Sequence, residues 1–225
     1  MNEAASNTTR WWWVRHAPVP DTVNIYGQND VDSDTSETHV YTALAHELPR
    51  DAVWLTSNLK RTHQTAAAIF SAMTMEDRRR GEPQQVAEFA EQHLGAWQGM
   101  NRAEFFAARA HLNHPFWFGP AAERAPGGES FNDLVVRATA AIERLSEIYA
   151  GRDIVAVAHG GTIKAAIAHA LNLSADAGLA FACDNCSVTR LERLSVTPEP
   201  LWRVIATNHR PWVGMSARQA ASVLA

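Results

Sequence analysis

Ile154 to Ala158 is an unbroken apolar run, followed at once by His159-Gly160-Gly161-Thr162 and a stretch of helical period from Thr162 to Leu171. An apolar run with no polar alternation is the mark of a strand covered on both faces, and such a strand needs helices above and below its sheet. That confines the chain to layered α/β architectures. The same order occurs earlier. Arg10 to Val14, with its Trp-Trp-Trp-Val run, is β-prone and stops at a Pro-containing turn; Ala52 to Thr56 is a second short strand, and Asn58 to Met73 has helical spacing. Val86 to Phe89 predicts a third strand, Arg102 to Ala110 a helix, Glu129 to Tyr149 a long helix, Ser187 to Leu194 and Trp202 to Ala206 closing strands, and Ser216 to Leu224 a last helix. The pattern predicts an α/β fold, a three-layer α/β/α sandwich with a mostly parallel central sheet. His111 to Gly128, rich in Pro, Gly and aromatic residues, reads as an irregular excursion inside the domain, part of a lid-like segment near residues 100–131.

A chain of 225 residues is long enough for one such domain, here residues 10–225, preceded by a loosely ordered arm over 1–9. That arm carries an acid, no basic residue and no apolar core, so it is no signal peptide. The apolar stretches at Ile154–Ala158 and Ala165–Leu171 fall far short of the roughly 18 residues of a membrane span, so no membrane partner is expected and the protein is placed in the cytoplasm. A net charge of −4 leaves no basic excess for a nucleic acid, whereas a small phosphorylated substrate needs only a local cluster of cations.

Cys183 and Cys186 form one C-x-x-C with no second Cys/His pair nearby, and read as reduced structural thiols. Asp30-x-Asp32-x-Asp34 imitates the opening of a calcium loop, but Thr35 stands for the required glycine and Tyr41 for the bidentate glutamate, which leaves a solvated loop. His111-x-x-His114 lacks further ligands. No metal and no cofactor is expected.

In open parallel sheets ligands bind beyond the carboxyl ends of the strands. Here those ends carry Arg15-His16, Ser57 with Lys60-Arg61, Glu91, and His159-Gly160-Gly161-Thr162. Two histidines, two arginines and a carboxylate from separate strand ends can converge on one tetrahedral anion. If Ser57 is an N-cap, Lys60 and Arg61 fall in the first helical turn, where cations oppose the helix dipole by roughly 0.3 to 1 kcal/mol. A bound phosphate removes that conflict. Gly160-Gly161 lets backbone N–H groups approach an oxyanion, or forms no more than a tight turn.

The segments Val14-Arg15-His16-Ala17-Pro18-Val19, Ser57-Asn58-Leu59-Lys60-Arg61-Thr62, Glu91-Gln92-His93-Leu94-Gly95-Ala96-Trp97 and Ala158-His159-Gly160-Gly161-Thr162 together resemble, in order and separation, the motifs of the histidine phosphatase superfamily. Pro126-Gly-Gly-Glu-Ser130-Phe resembles the segment that opens a long helix in its phosphatase branch, and Asn185-Cys-Ser-Val-Thr the start of a late strand. The resemblance spans residues 11 to about 195, and its branch contains α-ribazole phosphatases and cofactor-dependent phosphoglycerate mutases. It implies that His16 is a nucleophile transiently phosphorylated, that Arg15, Arg61 and His159 bind the phosphoryl group, that Glu91 is the general acid, and that no metal is used. Gly160 and Asn24 are further candidate contacts, Asn24 at a longer spacing from His16 than the family's asparagine.

The chemistry suits these residue types: neutral imidazole is a nucleophile near pH 7, fixed guanidinium donors hold equatorial charge, and a carboxyl group can protonate a leaving alkoxide. Ala17 stands where the family usually has glycine, a change that the extended backbone before Pro18 tolerates. Val19 replaces a usual Thr or Ser and removes a hydroxyl contact. Glu88 is a rival acid, although the Glu-x-x-x-Gly-x-Trp spacing favours Glu91. Phe116-Trp117-Phe118 reads as packing for the excursion. The expected function is a phosphomonoesterase acting on a small metabolite; the alternatives are a phosphoglycerate mutase, which the short Gly99–Glu129 segment disfavours, and a phosphate-binding scaffold with a weakened site.

Overall fold

The computed structural model describes residues 8–74, 82–111, 114–196 and 199–214. Among the described residues six strands form one sheet: β1 (Thr8–Arg15), β2 (Val53–Thr56), β3 (Gln84–Gln85), β4 (Asp153–Ala158), β5 (Val188–Leu194) and β6 (Leu201–His209), in the order β3-β2-β4-β1-β5-β6. β3, β2, β4 and β1 run parallel, and β5 and β6 add two antiparallel pairings. The helices are α1 (Thr38–Glu47), α2 (Lys60–Ala72), α3 (Arg102–Ala108), α4 (Phe131–Ile148), α5 (Gly160–Ala170) and the single turn α6 (Ala175–Gly178). The expected α/β sandwich with a mostly parallel sheet is the one observed. Among the described residues no helix is long and apolar enough to cross a membrane.

The tryptophan run is explained by burial on both faces of the sheet. Successive strand side chains point to opposite faces. Trp11 and Trp13 therefore pack with Ile154, Ala156 and Ala158 against α4 and α5, while Trp12 and Val14 pack with Val155 and Val157 against α1 and α2. Trp11 and Trp13 stack at 4.9 Å between centroids. Four consecutive large apolar residues thus fill two cores at once, which only a central strand permits. α4 begins at a capping box: Ser130 Oγ accepts from the Asp133 amide, and Asp133 accepts from the Ser130 amide at 2.7 Å.

Several boundaries differ from the sequence reading. Thr8 and Thr9, expected in the arm, belong to β1, where they pair with Leu194 and Arg193. Val86–Phe89 is not a strand; pairing is confined to Gln84–Gln85, and the chain then closes into a 3₁₀ turn over Ala87–Phe89 that buries Phe89. Helix α1 was not anticipated. It lacks a side-chain cap and its segment is polar at the start, so burial of Val40, Tyr41 and Leu44 against α2 and the sheet stabilises it. Met1–Asn7 and the predicted helix Ser216–Leu224 lie outside the described residues.

Candidate active site

β1 and β4 are paired with Arg15 opposite Ala158, so His16 and His159 leave the sheet side by side, one residue beyond the last paired positions. Their ring centroids lie 5.1 Å apart, and both side chains are buried. Hydrogen bonding fixes the proton on each ring. A carbonyl only accepts, so His16 Nδ1, 2.7 Å from Ala17 O, carries the proton, and Nε2 keeps its lone pair with no hydrogen-bond partner among the described residues. Arg61 Nε only donates, so His159 Nδ1 accepts from it at 3.3 Å and His159 Nε2–H donates to Ser57 Oγ at 2.7 Å. Both imidazoles are neutral. Burial lowers each well below its ordinary value, reinforced for both by the guanidinium groups of Arg61 and Arg15.

Arg61 lies in the first turn of α2, as expected, with its guanidinium fully buried. It donates to Gly27 O at 2.7 Å and Asn29 O at 3.0 Å, and stacks against Tyr26 at 5.1 Å. Burial lowers its pKa, opposed first by the nearby Glu91. Ser57, read as an N-cap, is not one: the cap is Leu59, and Ser57 Oγ accepts from the Leu59 amide while holding His159. Lys60 turns away to Asp32. Arg15 donates to Cys183 O, and its buried Nε has no partner among the described residues. Gly160 sits against this group; a Cβ there would lie 3.6 Å from Arg15 Nε.

Glu91 approaches from the loop after β3. Its carboxylate accepts from the Gln92 amide at 2.9 Å and from the Gly161 amide at 3.3 Å, at the start of α5. A Cβ at Gly161 would meet Glu91 Oε1 at 2.3 Å, so the carboxylate holds this position only beside a glycine. The rival Glu88 points elsewhere and pairs with Arg144 at 2.9 Å. The structure therefore brings together His16, Arg15, Arg61, His159, Glu91 and Gly160. It does not bring Asn24: that side chain donates to Asp21 at 2.9 Å on the exposed face, and its backbone pairs with Asn101. The segment after His16 loops outward through Asp21, and the carbonyls of Gly27 and Asn29 arrive at the site instead.

Above these groups opens a cleft of about 610 Å³ walled by Tyr26, Phe106, Phe116, Trp117 and Phe118, with Arg102 and Lys164 among its lining side chains. Phe116-Trp117-Phe118 does pack, through Trp117 on Phe131 and Phe118 on Phe106, but it also forms the cleft wall, and Phe116 is 60% exposed. Lys164 is buried over the Trp117 ring, donates to Leu179 O at 2.7 Å, and is shifted down by that burial. The sequence reading missed Tyr26, Arg102, Lys164 and Asn185, whose amide donates to His16 O at 2.8 Å. Only Asn185 lay in a recognisable segment. The two cysteines are free and buried, with burial pushing both thiols up to about 11. Among the described residues no group of three His, Cys, Asp or Glu side chains is placed to hold a metal.

A mostly parallel sheet with paired histidines at adjacent strand tips, two arginines and an acid opposite them defines an anion-binding site at the carboxyl edge of the sheet. The chain belongs to the histidine phosphatase superfamily (branch 1), whose pattern it matches over residues 11–202. It is 28% identical over 168 residues to a metal-independent phosphoserine phosphatase of Arabidopsis thaliana, covering 71% of this chain and 68% of that one. It is 33% identical over 125 residues to a 2,3-bisphosphoglycerate-dependent phosphoglycerate mutase of Gloeobacter violaceus, a match spanning 55% of this chain and only 56% of the mutase. Among solved structures, mycobacterial glucosyl-3-phosphoglycerate phosphatase in complex with inorganic phosphate superimposes with a TM-score of 0.73 at 26% identity, over 91% of this chain and 99% of that one.

Proposed function

We propose that the protein is a metal-independent phosphomonoesterase that hydrolyses a small phosphorylated metabolite through a phosphohistidine on His16. The observation that carries this reading is the His16 tautomer: Nδ1–H is committed to Ala17 O, which leaves the Nε2 lone pair for phosphorus. In the first step an Nε2–P bond forms as the bond from phosphorus to the leaving oxygen breaks, and Glu91 delivers a proton to that oxygen. In the second, Glu91 takes a proton from water as the water oxygen attacks phosphorus, and the N–P bond breaks to restore the imidazole. Arg15, with its unpartnered Nε, Arg61 and the Gly160 segment would hold the equatorial oxygens. His159 would join them by exchanging its bond to Ser57 Oγ for one to phosphate.

The cleft favours a leaving group larger than a three-carbon acid. Its volume of about 610 Å³ lies within the roughly 300 to 1,000 Å³ typical of sites for drug-sized ligands, and its ring-lined wall offers apolar area to a ring or chain. Likeness to the Gloeobacter mutase over half the chain supports a second reading, phosphoryl return to a phosphoglycerate instead of to water.

The test is to mix the protein with labelled substrate in excess chelator, denature in alkali because phosphohistidine is acid-labile, and map the label by peptide mass. Label on the His16 peptide, with phosphate released, is expected. Undiminished hydrolysis by His16→Ala, or activity that needs added magnesium or zinc, would overturn the proposal. Efficient 2-phosphoglycerate formation from 3-phosphoglycerate, dependent on a bisphosphoglycerate primer, would select the mutase.

A further inference from the structure

We infer that Arg137, on α4 and outside the phosphoryl pocket, is a positioning residue for Glu91. Its guanidinium spans the loop that carries the acid: Nη1 donates to Glu88 O at 2.6 Å and Ala90 O at 2.9 Å, and Nη2 donates to Glu91 O at 3.0 Å. The remaining donors are held by Glu129, Nε to Oε2 at 3.0 Å and Nη2 to Oε1 at 2.6 Å. One planar group thus ties three carbonyls of residues 88–91 to the residue just before the α4 cap.

Glu129 closes the far side of the same loop, since its Oε1 accepts from the His93 amide at 2.8 Å and its carbonyl from Gln92 Nε2 at 2.9 Å. Gln92 in turn accepts from Trp117 Nε1 at 2.6 Å, so the clamp reaches the wall of the cleft. Among the described residues the loop makes no strand pairing between Ala87 and Trp97, so these bonds, with those from Thr162 Oγ1 to Phe89 O and Ala90 O and from Gln28 Nε2 to Glu91 O, take the place of a ladder in fixing where the Glu91 carboxylate lies. A flat five-donor group is suited to this, because an ammonium cannot bridge three carbonyls and a carboxylate in one plane.

The inference rests on Glu91 being the general acid, and the experiment separates the two. Glu91→Gln, Arg137→Lys and Glu129→Gln are compared on an alkyl phosphate and on p-nitrophenyl phosphate, whose leaving group needs no proton. Arg137→Lys should lower kcat/KM, which reports formation of the phosphoenzyme, about 100-fold on the alkyl ester, the loss expected for a displacement near 1 Å, and by less than about 3-fold on the aryl ester. Glu129→Gln, which keeps the shape and most bonds, should show the same selectivity at about 10-fold and covers the case in which Arg137→Lys fails to fold. Equal losses on both esters, or Arg137→Lys indistinguishable from wild type, would overturn the positioning role. If Glu91→Gln itself shows no selectivity, the acid assignment fails and the positioning role with it; selectivity in Glu91→Gln without it in either clamp variant overturns the clamp alone.

Discussion

Gly161→Ala separates the needs of the fold from those of the chemistry. Gly161 lies in the first turn of α5, where the backbone is helical and alanine is intrinsically favoured over glycine by about 1 kcal/mol. The new Cβ would stand 3.2 Å from the Trp117 ring and 3.3 Å from Leu134 Cδ1, contacts relieved by shifts of a few tenths of an ångström. Against Glu91 Oε1 it would stand at 2.3 Å, and there the carboxylate must retreat. The displaced atom is the far end of a side chain, so propensity and crowding should nearly cancel and the midpoint of urea unfolding should shift little. Catalysis should not be spared, because a carboxylate moved by about 1 Å loses its line to the leaving oxygen, a displacement that can cost about 100-fold. The assay is kcat/KM, which reports formation of the phosphoenzyme, on an alkyl phosphate against p-nitrophenyl phosphate, beside the unfolding midpoint. Unchanged turnover of the alkyl ester would refute the assignment of Glu91, and an equal fall on both esters with a matching loss of stability would show that the substitution acts on packing.

Three further outcomes are expected. His16 and His159 are buried neutral with folded pKa values well below the 6.5 of the unfolded chain, so below that pH the unfolded state binds more protons. Stability should fall with decreasing pH from about 6.5 down to the folded pKa values, with a limiting slope near 1.4 kcal/mol per pH unit for each histidine, read from urea midpoints; a flat profile between pH 6.5 and 5 would contradict neutral burial. Ser57→Ala removes the acceptor for His159 Nε2–H and for the Leu59 amide, and should destabilise by about 1 to 3 kcal/mol in chemical denaturation. Trp13→Ala opens a void between Trp11 and Phe89 and should cost about 3 to 5 kcal/mol, visible as a lower urea midpoint in which Trp12→Phe serves as the milder control.

What the sequence determined is what depends on local pattern. The apolar run at Ile154–Ala158 has the pattern of a doubly covered strand, and the Gly-Gly after it marks a junction between strand and helix, so the layered fold and the position of His159 were legible from neighbours in the chain. The Arg15-His16 and Lys60-Arg61 pairs were likewise marked by where strands stop. Tertiary structure decided everything that depends on which ends meet. The parallel register of β1 on β4 puts His16 beside His159, and no local signal carries that register. Ser57 had the look of a helix cap, but a partner 102 residues away claimed its hydroxyl. Asn24 had a plausible residue type, yet the loop through Asp21 carries it outward. Lys164, Arg102 and Tyr26 bear no motif, because a cleft wall is assembled from side chains that share only a direction in space, and that direction exists only once the sheet and α5 are packed.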